Sequence, residues 1–177
     1  MKQLFILRHA KSSWDDPTLA DFDRPLNARG RSAAPFMGEF MAGRKLLPEL
    51  IVSSPAVRAM QTARLCRDAG GFDAPLKYDE RIYDATTQTL VSVVSEIPDD
   101  IASALIVGHN PGMEGLVRFL SRELHPMPTA AVACISLEIG SWADLDEGSG
   151  TLVDLFRPKK LMKEARGEGD RPASGKN

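Results

Sequence analysis

Leu4-Phe5-Ile6-Leu7-Arg8-His9 is the stretch on which the reading of this chain turns. Four apolar residues in a row, without polar alternation, describe a strand buried on both faces, as in the middle of a parallel sheet. The strand, read as Lys2 to Leu7, ends on an arginine and a histidine. Far downstream, Ala104-Leu105-Ile106-Val107-Gly108 ends on His109 in the same way. Open α/β sheets bind ligands outside the carboxyl ends of their strands. Two buried strands that each deliver a histidine there point to one shared site. An arginine beside one histidine and a helix start after the other favour an anion, phosphate foremost.

Outward from these strands, helix and strand signals alternate. Asn27 to Leu47 carries Ala33, Phe36, Met37, Phe40 and Met41 at helical spacing, with Pro35 inside predicting a kink or a late start. Leu50 to Ser53 reads as a short strand. Ser54-Pro55 reads as a cap followed by proline at the first helical position. That helix runs to about Asp68 and stops at Gly70-Gly71. Leu76 to Tyr78 is a short strand, and Gln88 to Glu96 a helix closed by Pro98. Asn110-Pro111 repeats the cap-then-proline signal before a helix to about Leu124. Val132 to Ile139 and Thr151 to Phe156 read as the last strands, joined by an acidic, glycine-rich hairpin loop. The alternation predicts an α/β protein, a three-layer α/β/α sandwich with a mostly parallel central sheet. Residues 1–160 are expected to form one catalytic domain, and 161–177 a basic, flexible tail.

The bulk properties narrow the function. The chain has 177 residues, 43% hydrophobic and 26% charged, with a formal net charge of -2, so no global basic field favours nucleic acid. No apolar run approaches membrane-spanning length, and no secretory segment is read at the N-terminus, so a cytoplasmic protein without membrane partners is expected. Cys66 and Cys134 sit in apolar surroundings and read as reduced thiols.

A histidine at a strand end serves as nucleophile, base, metal ligand or plain hydrogen-bonder. The three histidines, His9, His109 and His125, form no short-range ligand pair, and nearby arginines repel a cation, so neither metal nor cofactor is expected. Arg58 lies one turn into the helix after Ser54-Pro55, where it can face the strand ends, whereas Arg64 and Arg67 read as surface residues. Arg8, His9, Arg58 and His109 would then ring one pocket with two helix N-termini, suited to a phosphoryl group whose charge spreads over its equatorial oxygens.

These residues also carry a resemblance. Leu7-Arg8-His9-Ala10, Ser53-Ser54-Pro55-Ala56-Val57-Arg58-Ala59-Met60-Gln61-Thr62-Ala63 and Val107-Gly108-His109-Asn110-Pro111-Gly112 resemble, in order, the motifs of the histidine phosphatase (phosphoglycerate mutase-like) superfamily. Arg8 to Trp14, Asp23 to Gly30 and Gly108 to Gly112 resemble its small SixA-type phosphohistidine phosphatases most. The resemblance implies His9 as the nucleophile of a covalent phosphohistidine intermediate. It implies Arg8, Arg58 and His109 as groups that bind and polarise the phosphoryl; Lys11 and Ser12, next in the chain, are candidate phosphate contacts.

Two departures shape the expected substrate. Ala10 replaces the signature glycine, and Lys11 stands where an acid is common, either adding charge at the phosphate or facing solvent. For the acid that protonates the leaving oxygen in larger relatives, the pattern favours Asp84 over Glu80. A site without a strong acid fits phosphohistidine, whose imidazole departs more easily than an alkoxide. Only 26 positions separate Arg58 from Asp84 and 25 separate Asp84 from His109, which leaves little room for a cap domain. An open site fits a phosphorylated protein, by family analogy a histidine phosphotransfer domain in signalling. The alternatives are a phosphomonoesterase for small compounds and a non-catalytic phosphate-binding module.

Overall fold

Phe5 and Leu7 of the first strand point to one side of the sheet, and Leu4 and Ile6 to the other, so one apolar run feeds two separate cores. The computed structural model describes residues 1–167. Its strands are β1 (Lys2–Arg8), β2 (Leu50–Ser53), β3 (Leu76–Tyr78), β4 (Ser103–Gly108), β5 (Val132–Leu137) and β6 (Gly150–Phe156). Its helices are α1 (Ala28–Gly43), α2 (Val57–Gly70), α3 (Thr87–Ser95), α4 (Gly112–Ser121) and α5 (Pro158–Ala165). They form one mixed sheet of order β3-β2-β4-β1-β5-β6. The β3, β2, β4 and β1 pairings are parallel, and β5 and β6 run antiparallel as the hairpin predicted. Phe5, Leu7, Leu105 and Val107 pack with α1 and α2, while Leu4, Ile6, Ala104 and Ile106 pack with α3 and α4. This is the expected three-layer α/β/α sandwich.

The element ends differ in places, each for a local reason. Asn27 caps α1 by accepting the Gly30 N–H at 2.9 Å, and the helix continues through Pro35 from Ala28, so of the kink or late start expected there is no late start. It ends at Gly43 rather than Leu47, where Lys45 takes φ 58. α2 starts at Val57, with Ala56 rather than Ser54 flanking it. α4 starts at Gly112 after Pro111 and closes early because Arg122 turns left-handed at φ 62. The expected boundary at residue 160 falls inside α5, whose Leu161 packs on the α1–α2 core. The rest of the expected tail, residues 168–177, lies outside the described residues. Cys66 and Cys134 are free and buried, and burial pushes each thiol up to about 12. No helix among the described residues is long and apolar enough to cross a membrane.

The two helices on the first face cross closely at Gly38, where a Cβ would collide with the Cys66 carbonyl. Alanine raises intrinsic helix propensity by about 1 kcal/mol, but a backbone neighbour cannot yield as a side chain can. Gly38→Ala is expected to lower stability by about 1–3 kcal/mol in urea or thermal unfolding. A neutral or stabilising result would mean that α1 and α2 do not cross this tightly.

Candidate active site

The three adjacent parallel strands β2, β4 and β1 end on one edge, and the register fixes what they present there. Arg8 is paired with Gly108, and Ser53 with Val107. The His9 N–H donates to the Gly108 carbonyl and the Ser54 N–H to the Val107 carbonyl, each at 2.9 Å. His9, His109 and Ser54 therefore leave their strands side by side. The imidazole centroids of His9 and His109 are 5.1 Å apart, with the rings tilted by 50°. Thr62 of α2 ties the helix to this edge: its hydroxyl donates to the Arg58 carbonyl at 2.7 Å and accepts the Ala10 N–H at 2.9 Å.

Hydrogen bonding sets the state of each ring. His9 Nδ1 lies 2.7 Å from the Ala10 carbonyl, which only accepts, so Nδ1 carries the proton and the lone pair of the neutral ring is at Nε2. His109 Nε2 lies 2.8 Å from the Ser54 hydroxyl, which already accepts the Ala56 N–H at 3.2 Å. With the Ser54 proton directed at Nε2, His109 keeps its own proton on Nδ1. That nitrogen, Arg8 Nε and Arg58 Nε are buried without a hydrogen-bond partner. Burial, with the nearby charges of Arg58 and Arg8, pushes His9 down to about 3 and His109 down to about 4.

That neutrality has a cost in acid. The unfolded chain protonates both rings near the ordinary 6.5, while the folded chain holds them neutral down to about 4 and about 3. The unfolded state thus binds more protons, and stability falls as pH drops through this window, by up to about 1.4 kcal/mol per ring per pH unit. Melting curves from pH 7 to 4 are expected to fall less steeply for His109→Gln than for the parent chain. Parallel curves would show that His109 is not held neutral.

The arginines are anchored from surroundings the motifs do not reveal. Arg8 Nη1 donates to the Met127 carbonyl at 3.0 Å. Glu114 fixes that segment by accepting the Met127 N–H at 2.8 Å and Asn110 Nδ2 at 2.9 Å, and its charge opposes the burial that disfavours the Arg8 cation. Arg58 Nη1 donates to the Asp21 carbonyl at 2.6 Å and Nη2 to Asp21 Oδ2 at 3.0 Å. The same carboxylate accepts the Tyr83 hydroxyl at 2.7 Å and Arg24 Nη2 at 3.0 Å. The Tyr83 hydroxyl foremost, then the arginines, hold the Asp21 carboxyl down at about 2. Tyr83 also stands edge-on to His109, 5.5 Å between centroids.

The remaining expected residues are placed differently. Asp84 is exposed at φ 52, and its side chain makes no hydrogen bond or ion pair with the described residues. Glu80 is exposed on a 3-10 turn. Tyr83, between these two acids, is the residue brought to the histidines. Ser12 is buried and accepts Arg24 Nη1 at 2.9 Å, and Lys11 is exposed. Asp21, Tyr83, Ser54 and Glu114 were not singled out as site residues. Only Ser54 carried a sequence signal, its place three residues before Val57 in the second motif.

Residues 4–122 match the family model of the histidine phosphatase superfamily, branch 1. The chain belongs to that superfamily. Within it, the chain is 32% identical to the uncharacterised protein Rv1276c of Mycobacterium tuberculosis over 164 residues, 86% of this chain and 100% of the relative. It is 27% identical to the phosphohistidine phosphatase SixA of Escherichia coli over 167 residues, 90% of this chain and 96% of that protein. A solved structure of the protein histidine phosphatase SixA complexed with tungstate superposes with a TM-score of 0.77 at 27% identity, covering 90% of this chain and 99% of that one. A mycobacterial glucosyl-3-phosphoglycerate phosphatase shares the fold at 17% identity, with a TM-score of 0.66. The chain is thus a SixA-like phosphatase of the histidine phosphatase superfamily.

Proposed function

We propose that this protein removes the phosphoryl group from phosphohistidine in a signalling protein, without metal, through a covalent phosphohistidine intermediate on His9. The observation that carries the reading is the pairing of a neutral His9, its lone pair at Nε2, with three buried unpartnered donors, Arg8 Nε, Arg58 Nε and His109 Nδ1. Buried donors lacking acceptors are costly, and an oxyanion would relieve them. In this reading Nε2 of His9 attacks phosphorus in line, and the P–N bond of the substrate breaks. The departing imidazole takes a proton from solvent and leaves as a neutral ring. Water then cleaves the phosphoryl–His9 bond, giving inorganic phosphate and restoring His9. The arginines and His109 hold the oxygens, whose charge is largest in the transition state.

The surroundings favour an easy leaving group. Asp21 is ionised, and the Tyr83 hydroxyl is held by it and harder to deprotonate than usual, so neither is a strong acid at neutral pH. Asp84 points to no partner. The intervals between Arg58, Asp84 and His109 are filled by α2, β3, α3 and β4, with no inserted cap. Among the described residues, no group of three metal-ligating side chains gathers. With chelator present, kcat/KM on a phosphohistidine peptide is expected to exceed that on a simple alkyl phosphate by at least about 100-fold, which corresponds to about 2.7 kcal/mol of transition-state binding. Equal values would refute the P–N preference, and loss of turnover in chelator would refute the metal-free mechanism. Preference for a small phosphomonoester would point to the esterase alternative.

A further inference from the structure

A cavity of about 510 Å³ is lined in part by residues that neighbour the candidate active site in the chain, and it falls within the size range of sites that take ligands or a few side chains. It adjoins the candidate active site through two short connections in the chain. Lys11, on its wall, is two residues after His9, and Pro128-Thr129 directly follows Met127, whose carbonyl holds Arg8. The far wall comes from α1 and α5. Among the described residues, every charged residue lining it is cationic: Lys11, Arg29, Lys159 and Arg166. Among the described residues no carboxylate lines it, although the chain as a whole carries a formal charge of -2. The side chains of Lys11, Arg29 and Lys159 make no hydrogen bond or ion pair with any described residue. Surface cations on an acidic chain ordinarily find carboxylates. Here Lys11, Arg29 and Lys159 converge on a concavity without a charge partner among the described residues, while Ala33 and Met162 give it an apolar lining.

We infer that this cavity is a docking subsite for an acidic segment of the phosphorylated polypeptide, rich in Asp or Glu, which seats beside the phosphohistidine and selects the substrate. The inference rests on the phosphohistidine reading above and deepens it. A polypeptide segment suits the cavity better than a single small anion. The cations come from three separate parts of the chain, the loop after β1, the start of α1 and the region of α5, so successive carboxylates can meet successive partners. Pairs of this exposed kind are each worth about two- to fivefold in binding and are weakened by salt. Several together discriminate by about tenfold or more, and they act on substrate capture rather than on the chemical step.

The test separates docking from turnover. Binding of unphosphorylated, fluorescent Glu-rich and Lys-rich peptides is measured by anisotropy on the parent chain, on Arg29→Glu/Lys159→Glu and on the milder Arg29→Gln/Lys159→Gln. The Glu-rich peptide is expected to bind the parent chain, to lose at least about tenfold in affinity on the Glu pair and less on the Gln pair, and to weaken between 50 and 300 mM salt. In parallel, kcat/KM is measured on phosphohistidine peptides with Glu or neutral flanks and on free phosphoramidate. The Glu-flanked peptide is expected to lose about tenfold on the charge-reversed pair through KM, with kcat and phosphoramidate turnover within about twofold of the parent chain. Equal binding of Glu-rich and Lys-rich peptides, or a preference that survives charge reversal, would overturn the subsite while leaving phosphohistidine turnover standing. Failure to cleave any phosphohistidine compound would refute the proposed function, while the binding arm still decides the subsite.

Discussion

His9→Ala is expected to lower kcat by at least about 10⁴-fold, to the background left by phosphoryl binding alone. The loss exceeds that of an ordinary hydrogen-bonding residue because the ring supplies the electrons of the new P–N bond. His9 Nδ1 is engaged by the Ala10 carbonyl, which leaves its lone pair at Nε2, whereas the Nε2 lone pair of His109 is occupied by the Ser54 hydroxyl. Labelling with a ³²P phosphodonor, quenched in alkali because phosphohistidine is acid-labile, should mark the parent chain on His9 and leave His9→Ala unlabelled. Label retained in the variant, or turnover reduced only a few-fold, would remove His9 from the nucleophile's role. The variant should still fold, since a truncated ring at the sheet edge leaves both cores untouched.

Arg58→Ala is expected to cost about 10³-fold in kcat/KM, the lower part of the range for an arginine that stabilises a transferring phosphoryl. Arg58→Lys should recover less than tenfold of this. The guanidinium spans the Asp21 carbonyl and carboxylate while keeping Nε free, and a lysine ammonium cannot hold two points and offer a third in one plane. Asp21→Asn separates anchoring from phosphoryl binding. It keeps the carbonyl contact to Arg58 and removes a carboxylate that is half exposed, so it should change kcat/KM by less than about tenfold. A loss equal to that of Arg58→Ala would mean that Arg58 acts only by holding the loop.

How much of this was legible in the sequence follows from the range of the forces involved. The unbroken apolar runs Leu4–Leu7 and Ala104–Val107 are local statements about burial on two faces, and they placed both strands in the sheet centre. The chain stops being apolar where it reaches the sheet edge, so the residues that follow each run, His9 and His109, were found by the same signal. Asp21 was not. It sits in a polar loop, and its partners Arg58 and Tyr83 are 37 and 62 positions away, a contact that no periodicity encodes. Ser54 shows the conflict directly. Locally it looks like a helix cap, but its hydroxyl is drawn to His109, 55 positions on, and the helix begins three residues later. The acid was sought along the chain at Glu80 and Asp84. In the structure Asp84, at φ 52, is exposed, while Tyr83 stands edge-on to His109, a placement that the acid pattern does not encode.

The pairing of Arg8 with Gly108 bears on quality control in the cell. A slip of β1 against β4 by a single residue would send Arg8 and His9 to the opposite sides and separate the two imidazoles. No half-folded or misregistered chain can then present both rings with both guanidiniums. A phosphatase would do damage if fragments of it kept working. Here the strand register acts as an interlock, so that hydrolysis begins only after the sheet has closed correctly.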